Sequence, residues 1–230
     1  MESGEGYDRA SLSLLGKQQK LLEAIKATGK PMIVVYIQGR PLEMNWAAQN
    51  ANALLCAWYP GQEGGNAIAD VLTGDVNPSG KMPISVPKNV GQLPVYYNKK
   101  TPIGHEYVEM NQLPLYTFGY GLSYTTFQYS DLVINKKEKE SFEISCKVKN
   151  TGKVAGKEVV QLYLRDEVVS VVQPVKQLKH FHKIMLKPGD EKTVTFDITS
   201  DDLSLVNINM QKVVEPGAFK VMLGASSADI

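Results

Sequence analysis

Glu5 stands between Gly4 and Gly6 in the opening run GEGYDRASLSLLGKQ. A carboxylate on so pliant a loop can reach into a neighbouring domain's pocket, where an elevated pKa lets it donate a proton. The same run also reads as an ordinary helix lead-in. Asp8 or Ser11 can then cap, and Arg9 can pair with Glu5 or Asp8 at the surface for less than about 1 kcal/mol. The three histidines offer less. His105 lies in an irregular stretch, while His180 and His182, at i and i+2, share one face of a strand. Two imidazoles fall short of the three or four ligands that zinc needs, so no metal is expected. Cys56 and Cys146 sit in segments of different character without CxxC spacing and read as buried, inert thiols. The chain contains no Walker loop, GxGxxG, HExxH, EF-hand loop or GxSxG elbow, which removes most cofactor classes, and no cofactor is expected.

The chain that must position these groups has 230 residues, 43% hydrophobic and 21% charged, enough for one large domain or two small ones with apolar cores. Disorder and small disulfide scaffolds are excluded. Twenty-five Lys plus Arg against 24 Asp plus Glu leave a formal charge of +1. No strong field is available to gather phosphate backbones or anionic lipid, so nucleic acid is not an expected partner. The longest apolar runs, MIVVYI from Met32 and ALLCAW from Ala53, are far short of the roughly 20 residues that cross a bilayer, and a soluble chain without membrane association is expected. Met1 is followed by ESGEGYDR, not by a basic and then apolar leader, so no signal peptide is expected in these residues.

From Leu12 to Ala27 the apolar residues Leu14, Leu15, Leu21, Leu22 and Ile25 are spaced for a helix, which Gly29, Lys30 and Pro31 stop. MIVVYIQ then predicts an apolar strand, Trp46 to Asn52 a short helix, and ALLCAW a second strand. Gly64 to Leu72 predicts a helix ended by Gly74, and PISV from Pro83 a last strand. Helices alternating with strands apolar on both faces imply part of an α/β layer with a mostly parallel sheet. Beyond Phe127 the period becomes two, in SFEISCKV, EVVQLYL, KTVTFDI and FKVML. Turn residues at Asn150–Gly152, Lys187–Asp190 and Glu215–Gly217 separate them as in an antiparallel β-sandwich. Residues 89–126 hold no sustained period and read as a connector, giving a division into 1–88, 89–126 and 127–230.

The block YPGQEGGNAIADVL has a structural reading. Pro60 and Gly61 turn the chain, Gly64 and Gly65 allow close approach, Glu63 meets the helix N-terminus, and Ala67, Ile68, Val71 and Leu72 form a buried stripe. Arg40, after a strand end, has Asp70 or Asp75 as a possible partner. Trp46, Trp58, Tyr59, Tyr96, Tyr97, Tyr107 and Tyr116 can stack on sugar rings or simply pack in cores.

Several strings together resemble the C-terminal part of a glycoside hydrolase family 3 enzyme of the β-glucosidase type. They are SGEGYDRASLSLLGKQ, GKPMIVVYIQGRPL, the long block from Ala57 to Tyr97, and LYTFGYGLSYTTF. KNTGKVAGKEVVQLYL, PVKQLKHF and LKPGDEKTVTF are similar to the fibronectin type III-like domain that ends many members. Leu15 departs from the Pro that relatives commonly carry, and Thr73 from an aromatic residue. The resemblance implies an α/β plus all-β fold: part of a mostly parallel α/β sandwich layer, then an immunoglobulin-like (fibronectin type III-like) β-sandwich.

The resemblance also implies a retaining exo-acting β-glycosidase whose two carboxyl groups lie about 5 to 5.5 Å apart. Glu5 falls where members place the acid/base, with Glu2 as its nearest rival, and His105 and Tyr107 are candidates for the substrate rim. The nucleophilic Asp would lie on a barrel domain outside this chain. The implied partners are an oligosaccharide or β-glycoside substrate, that barrel, and a second copy of the chain in a homo-oligomer. A periplasmic or secreted parent is compatible with the resemblance. The other reading is a non-catalytic scaffold or a carbohydrate- or partner-binding sandwich, which a stripe of exposed aromatics would favour.

Overall fold

The computed structural model describes residues 6–100 and 107–230. They fall into two compact units: the chain up to Val76 with Ser85–Val95 and Asn111–Tyr116, and Asn77–Ile84 with Tyr96–Met110 and Thr117–Ile230. No helix among the described residues is long and apolar enough to cross a membrane.

The first unit runs α1 (Gln18–Ala27), β1 (Ile33–Ile37), α2 (Asn45–Asn50), β2 (Ala53–Trp58) and α3 (Gly64–Thr73). β1 and β2 pair in parallel, Ile33 opposite Ala53 and Tyr36 opposite Cys56, so their carboxyl ends lie together. The first helix begins at Gln18, not near Leu12. Leu12 is buried and its carbonyl accepts the Glu43 N–H at 2.7 Å, which holds that stretch outside the helix. Neither Asp8 nor Ser11 caps α1; the Ser11 hydroxyl oxygen accepts the Ser13 N–H at 3.1 Å and closes a local turn. Gly29 and Gly74, at φ +72° and +88°, end α1 and α3 in the left-handed conformation that a side chain would resist. PISV adds no strand: Val86 makes a single bridge to Tyr116, and Pro83 and Pro87 have no N–H to give a ladder. The stripe expected to be buried on α3 is only partly covered, with Leu72 exposed.

The second unit is the sandwich. One sheet orders β10 (Phe219–Gly224), β5 (Gly156–Asp166) and β6 (Gln177–Leu186), the other β3 (Phe127–Glu138), β4 (Ser141–Asn150) and β7 (Glu191–Ile198). All neighbours are antiparallel. A short helix, α4 (Ser200–Leu203), and a hairpin of β8 (Leu205–Val206) with β9 (Lys212–Val213) complete it. Alternate residues point inward: Ile144, Cys146 and Val148 from β4, Val160, Leu162 and Leu164 from β5, and Val194, Phe196 and Ile198 from β7. Asn150, wholly buried, ties the corner after β4. Its amide donates to the carbonyls of Val154 and Leu186 at 2.8 and 3.0 Å, and its oxygen accepts from Thr125 Oγ1 at 2.6 Å and Gly152 N–H at 3.0 Å.

Candidate active site

Glu5, Glu2 and His105 lie outside the described residues. The candidate site among the described residues lies where β1 and β2 end, the edge at which open parallel sheets receive ligands. Here the register slips between Tyr36 and Ile37, and Gln38 N–H donates to the Trp58 carbonyl at 3.1 Å. Trp58 takes φ +51°, an uncommon conformation for a bulky residue, and turns the chain into Tyr59. The Tyr59 ring lies against Gly39, where any side chain would collide with it. Next to Gly39, Arg40 Nη2 donates to the Tyr7 carbonyl at 3.2 Å. Arg9 Nη2 donates to the Ser13 carbonyl at 2.8 Å. With the Glu43–Leu12 bond, residues 7–13 are fastened to the turn that leaves β1.

Buried polar groups collect beneath this edge. Tyr36 on β1 and Gln38, just past its end, are 6% and 3% exposed. Gln38 Nε2 donates to Cys56 Sγ at 3.3 Å, while Gln38 Oε1, the Tyr36 hydroxyl and Arg9 Nη1 are buried without a protein partner among the described atoms. Burial pushes the Tyr36 hydroxyl above its ordinary pKa, helped by Glu43 and Tyr116. Burial likewise raises the Cys56 thiol, against hydrogen bonds from the Trp58 backbone and Gln38. Above them the rings of Tyr7 and Tyr59 are 75% and 67% exposed. The arrangement offers exposed aromatic faces and an arginine. Tyr7 and Gln38 escaped the sequence reading, although a polar residue closing the apolar run MIVVYIQ was a visible signal.

Tyr107 is half-buried in the second unit. Arg40 makes no ion pair with Asp70 or Asp75, because it is drawn to Tyr7 and Asp75 accepts the Thr73 hydroxyl at 2.6 Å. Glu63 gives no side-chain cap to α3 and instead accepts from Asn66 Nδ2 at 2.7 Å. Tyr97 stacks on Phe118, ring centroids 4.2 Å apart. Both thiols are free, with Cys146 buried in the sandwich and Cys56 half-buried. No group of three or more His, Cys, Asp or Glu side chains among the described residues is placed to hold a metal ion.

His180 and His182 do share a face, against the Phe196 ring at 6.4 and 4.8 Å. His180 Nε2 lies 3.0 Å from Asp202 Oδ1, and Asp202 closes a capping box with Thr199. Burial alone would raise the Asp202 carboxyl, but the Thr199 N–H and hydroxyl and the His180 ring outweigh it and hold the pKa below the usual Asp range. That stabilisation is fully present above the ordinary Asp value and is lost as pH falls through the depressed one. Asp202→Asn should therefore cost about 1 kcal/mol at neutral pH and flatten the acid limb, as read from urea midpoints followed from neutral into acid.

Residues 1–124 match the model of the glycosyl hydrolase family 3 C-terminal domain, and residues 158–227 that of the fibronectin type III-like domain. A β-xylosidase from Formosa agariphila is 48% identical over 231 residues, covering 97% of this chain and 32% of that protein. A periplasmic β-glucosidase from Salmonella typhimurium is 46% identical over 240 residues, covering 98% of this chain and 31% of its own length. Among solved structures, a β-glucosidase from Listeria innocua in complex with glucose superposes with a TM-score of 0.93 at 40% identity. That match covers 98% of this chain and 33% of that one. The chain spans only 31–32% of the length of the two curated relatives described.

Proposed function

Because the chain belongs to glycosyl hydrolase family 3, we propose that it serves as the C-terminal part of a retaining, exo-acting β-glycosidase and supplies the acid/base carboxylate, Glu5. The observation that carries this reading is the fastening of residues 7–13 to the turn that leaves β1, through Arg40 on the Tyr7 carbonyl and the Glu43 N–H on the Leu12 carbonyl. General acid catalysis requires a carboxylate presented in a defined place, and a fastened loop is a suitable carrier for one. Glu5 would protonate the departing glycosidic oxygen and then deprotonate the attacking water, while an Asp on a barrel domain outside these residues forms the glycosyl intermediate. The substrate class would be β-glucosides or β-xylosides, the activities named for its relatives. His105 and Tyr107 would line the rim.

The first unit also looks like part of a larger layer. Ile33 and Ile37 of β1 are 53% and 59% exposed, and Leu21 of α1 is 60% exposed, an apolar face of the kind that further protein covers. The sandwich fits a buttressing role better than sugar binding. Among its exposed large hydrophobic residues from 127 to 230, Phe181 alone is aromatic, so there is no aromatic stripe.

The 230 residues alone should show no measurable turnover of an aryl β-glucoside or β-xyloside, because only one of the two carboxyl groups is available. Adding a separately made family 3 barrel should yield a complex by size-exclusion chromatography and restore activity. Robust turnover by the isolated chain that survives Glu5→Gln would end the assignment.

A further inference from the structure

We propose that residues 77–84 and 117–126 form a strap without which the sandwich does not close, with buried Glu158 as its latch. The outer face of β5 is not solvated. Inward Val160, Leu162 and Leu164 and outward Gln161 and Tyr163 are all buried, so the strand is enclosed on both sides.

The two strap segments pair with each other: Met82 N–H donates to the Tyr120 carbonyl at 2.7 Å and Gly119 N–H to the Met82 carbonyl at 2.8 Å. They pack so closely that a Cβ on Gly121 would strike the Gly80 carbonyl, and one on Gly119 the Gln161 side chain. Gln161 Nε2 donates to the carbonyls of Gly119 and Ala225 at 3.2 and 2.6 Å, and its oxygen accepts the Tyr163 hydroxyl at 2.6 Å. At the other end Asn77 is a second clasp. Its oxygen accepts from Ser123 Oγ at 2.9 Å and Tyr124 N–H at 2.8 Å, and its amide donates to the Ala155 carbonyl at 2.9 Å.

The latch lies on the inward side of β5. Glu158, 3% exposed, accepts from the Tyr129 hydroxyl of β3 at 2.9 Å and faces Lys81 Nζ at 3.4 Å. The same ammonium donates to the Gly121 carbonyl at 3.2 Å, so one cation joins both strap segments to a carboxylate that also bridges the two sheets. Burying a carboxylate here is costly unless its cation comes with it, and that cation exists only on the strap. The motif FGYGLSY from Phe118 thus gains a physical task that the proposed catalysis does not use.

Hydrogen exchange on the unaltered chain reads the strap without any substitution. The amides of Met82, Gly119 and Tyr124 should be protected to within about tenfold of β5 amides such as that of Leu162, because all open in one step. Lys81→Met should lower the folding equilibrium constant of the sandwich by about 100-fold or more, and Glu158→Gln added to it should recover part of that loss, since the stranded charge is gone. Strap amides that exchange more than about 100-fold faster than β5 would overturn the proposal. A Lys81→Met chain with an unchanged sandwich midpoint would overturn the latch.

Discussion

Glu5→Gln, made in an enzyme that joins this chain to its barrel, should slow hydrolysis of a β-glycoside with a poor leaving group by about 10²- to 10⁴-fold, the usual contribution of a positioned general acid. The loss depends on the substrate because the proton matters only where the departing oxygen is basic. An aryl β-glycoside with an acidic phenol leaves without help, so its first step should proceed and the phenol appear as a burst. The glycosyl intermediate should then persist, since no base remains to activate water, and azide, which needs no deprotonation, should release it as a glycosyl azide. The alkaline limb of kcat/KM, which reports loss of the acid's proton, should disappear with the carboxylate. Glu2→Gln is the paired control. If it carries the burst, the azide rescue and the altered pH profile while Glu5→Gln carries none, the acid/base is Glu2 and the loop register is shifted by three residues. A uniform drop for all leaving groups, without rescue, would mark Glu5 as structural.

The change of period from helical to two was enough to separate an α/β half from an all-β half, because hydrophobic spacing is local and survives without tertiary knowledge. What tertiary contacts decide was not legible. Leu12 looks helical by spacing yet is taken up by the Glu43 N–H, and PISV looks like a strand yet Pro83 and the following Pro87 deny it a ladder. β3 was hidden because Asp131, at φ +52°, interrupts its alternation with a shift of register. Arg40 was expected to meet Asp70 or Asp75, and the backbone carbonyl it holds instead leaves no charge signature in sequence. The burial of outward Gln161 and Tyr163 on β5 has no local pattern in sequence, because a distant segment supplies it.

Phe196→Ala should destabilise the sandwich by about 3–5 kcal/mol, whereas Phe181→Ala should stay within about 0.5 kcal/mol. Both are phenylalanines on strands, and the difference is entirely one of surroundings. Phe196 is 2% exposed and sits opposite Ile144 in the centre of the cluster shared by β4, β5 and β7. His182 covers it at 4.8 Å between ring centroids. Its removal takes away buried apolar area and leaves a void that Val194 and Ile198, on the same stiff strand, cannot move to fill. Phe181 is 63% exposed on β6 and has little to lose. The measurement can be confined to the right half of the molecule, because Trp46 and Trp58, the chain's two tryptophans, both belong to the first unit. Indole fluorescence therefore follows the α/β layer, while the circular dichroism of β-structure chiefly follows the sandwich. The Phe196→Ala loss should appear as a lower urea midpoint of the dichroism transition with its slope retained. Equal small shifts for the two variants would mean that the sheets are not packed on Phe196, and the buttressing role of the sandwich would lose its physical basis.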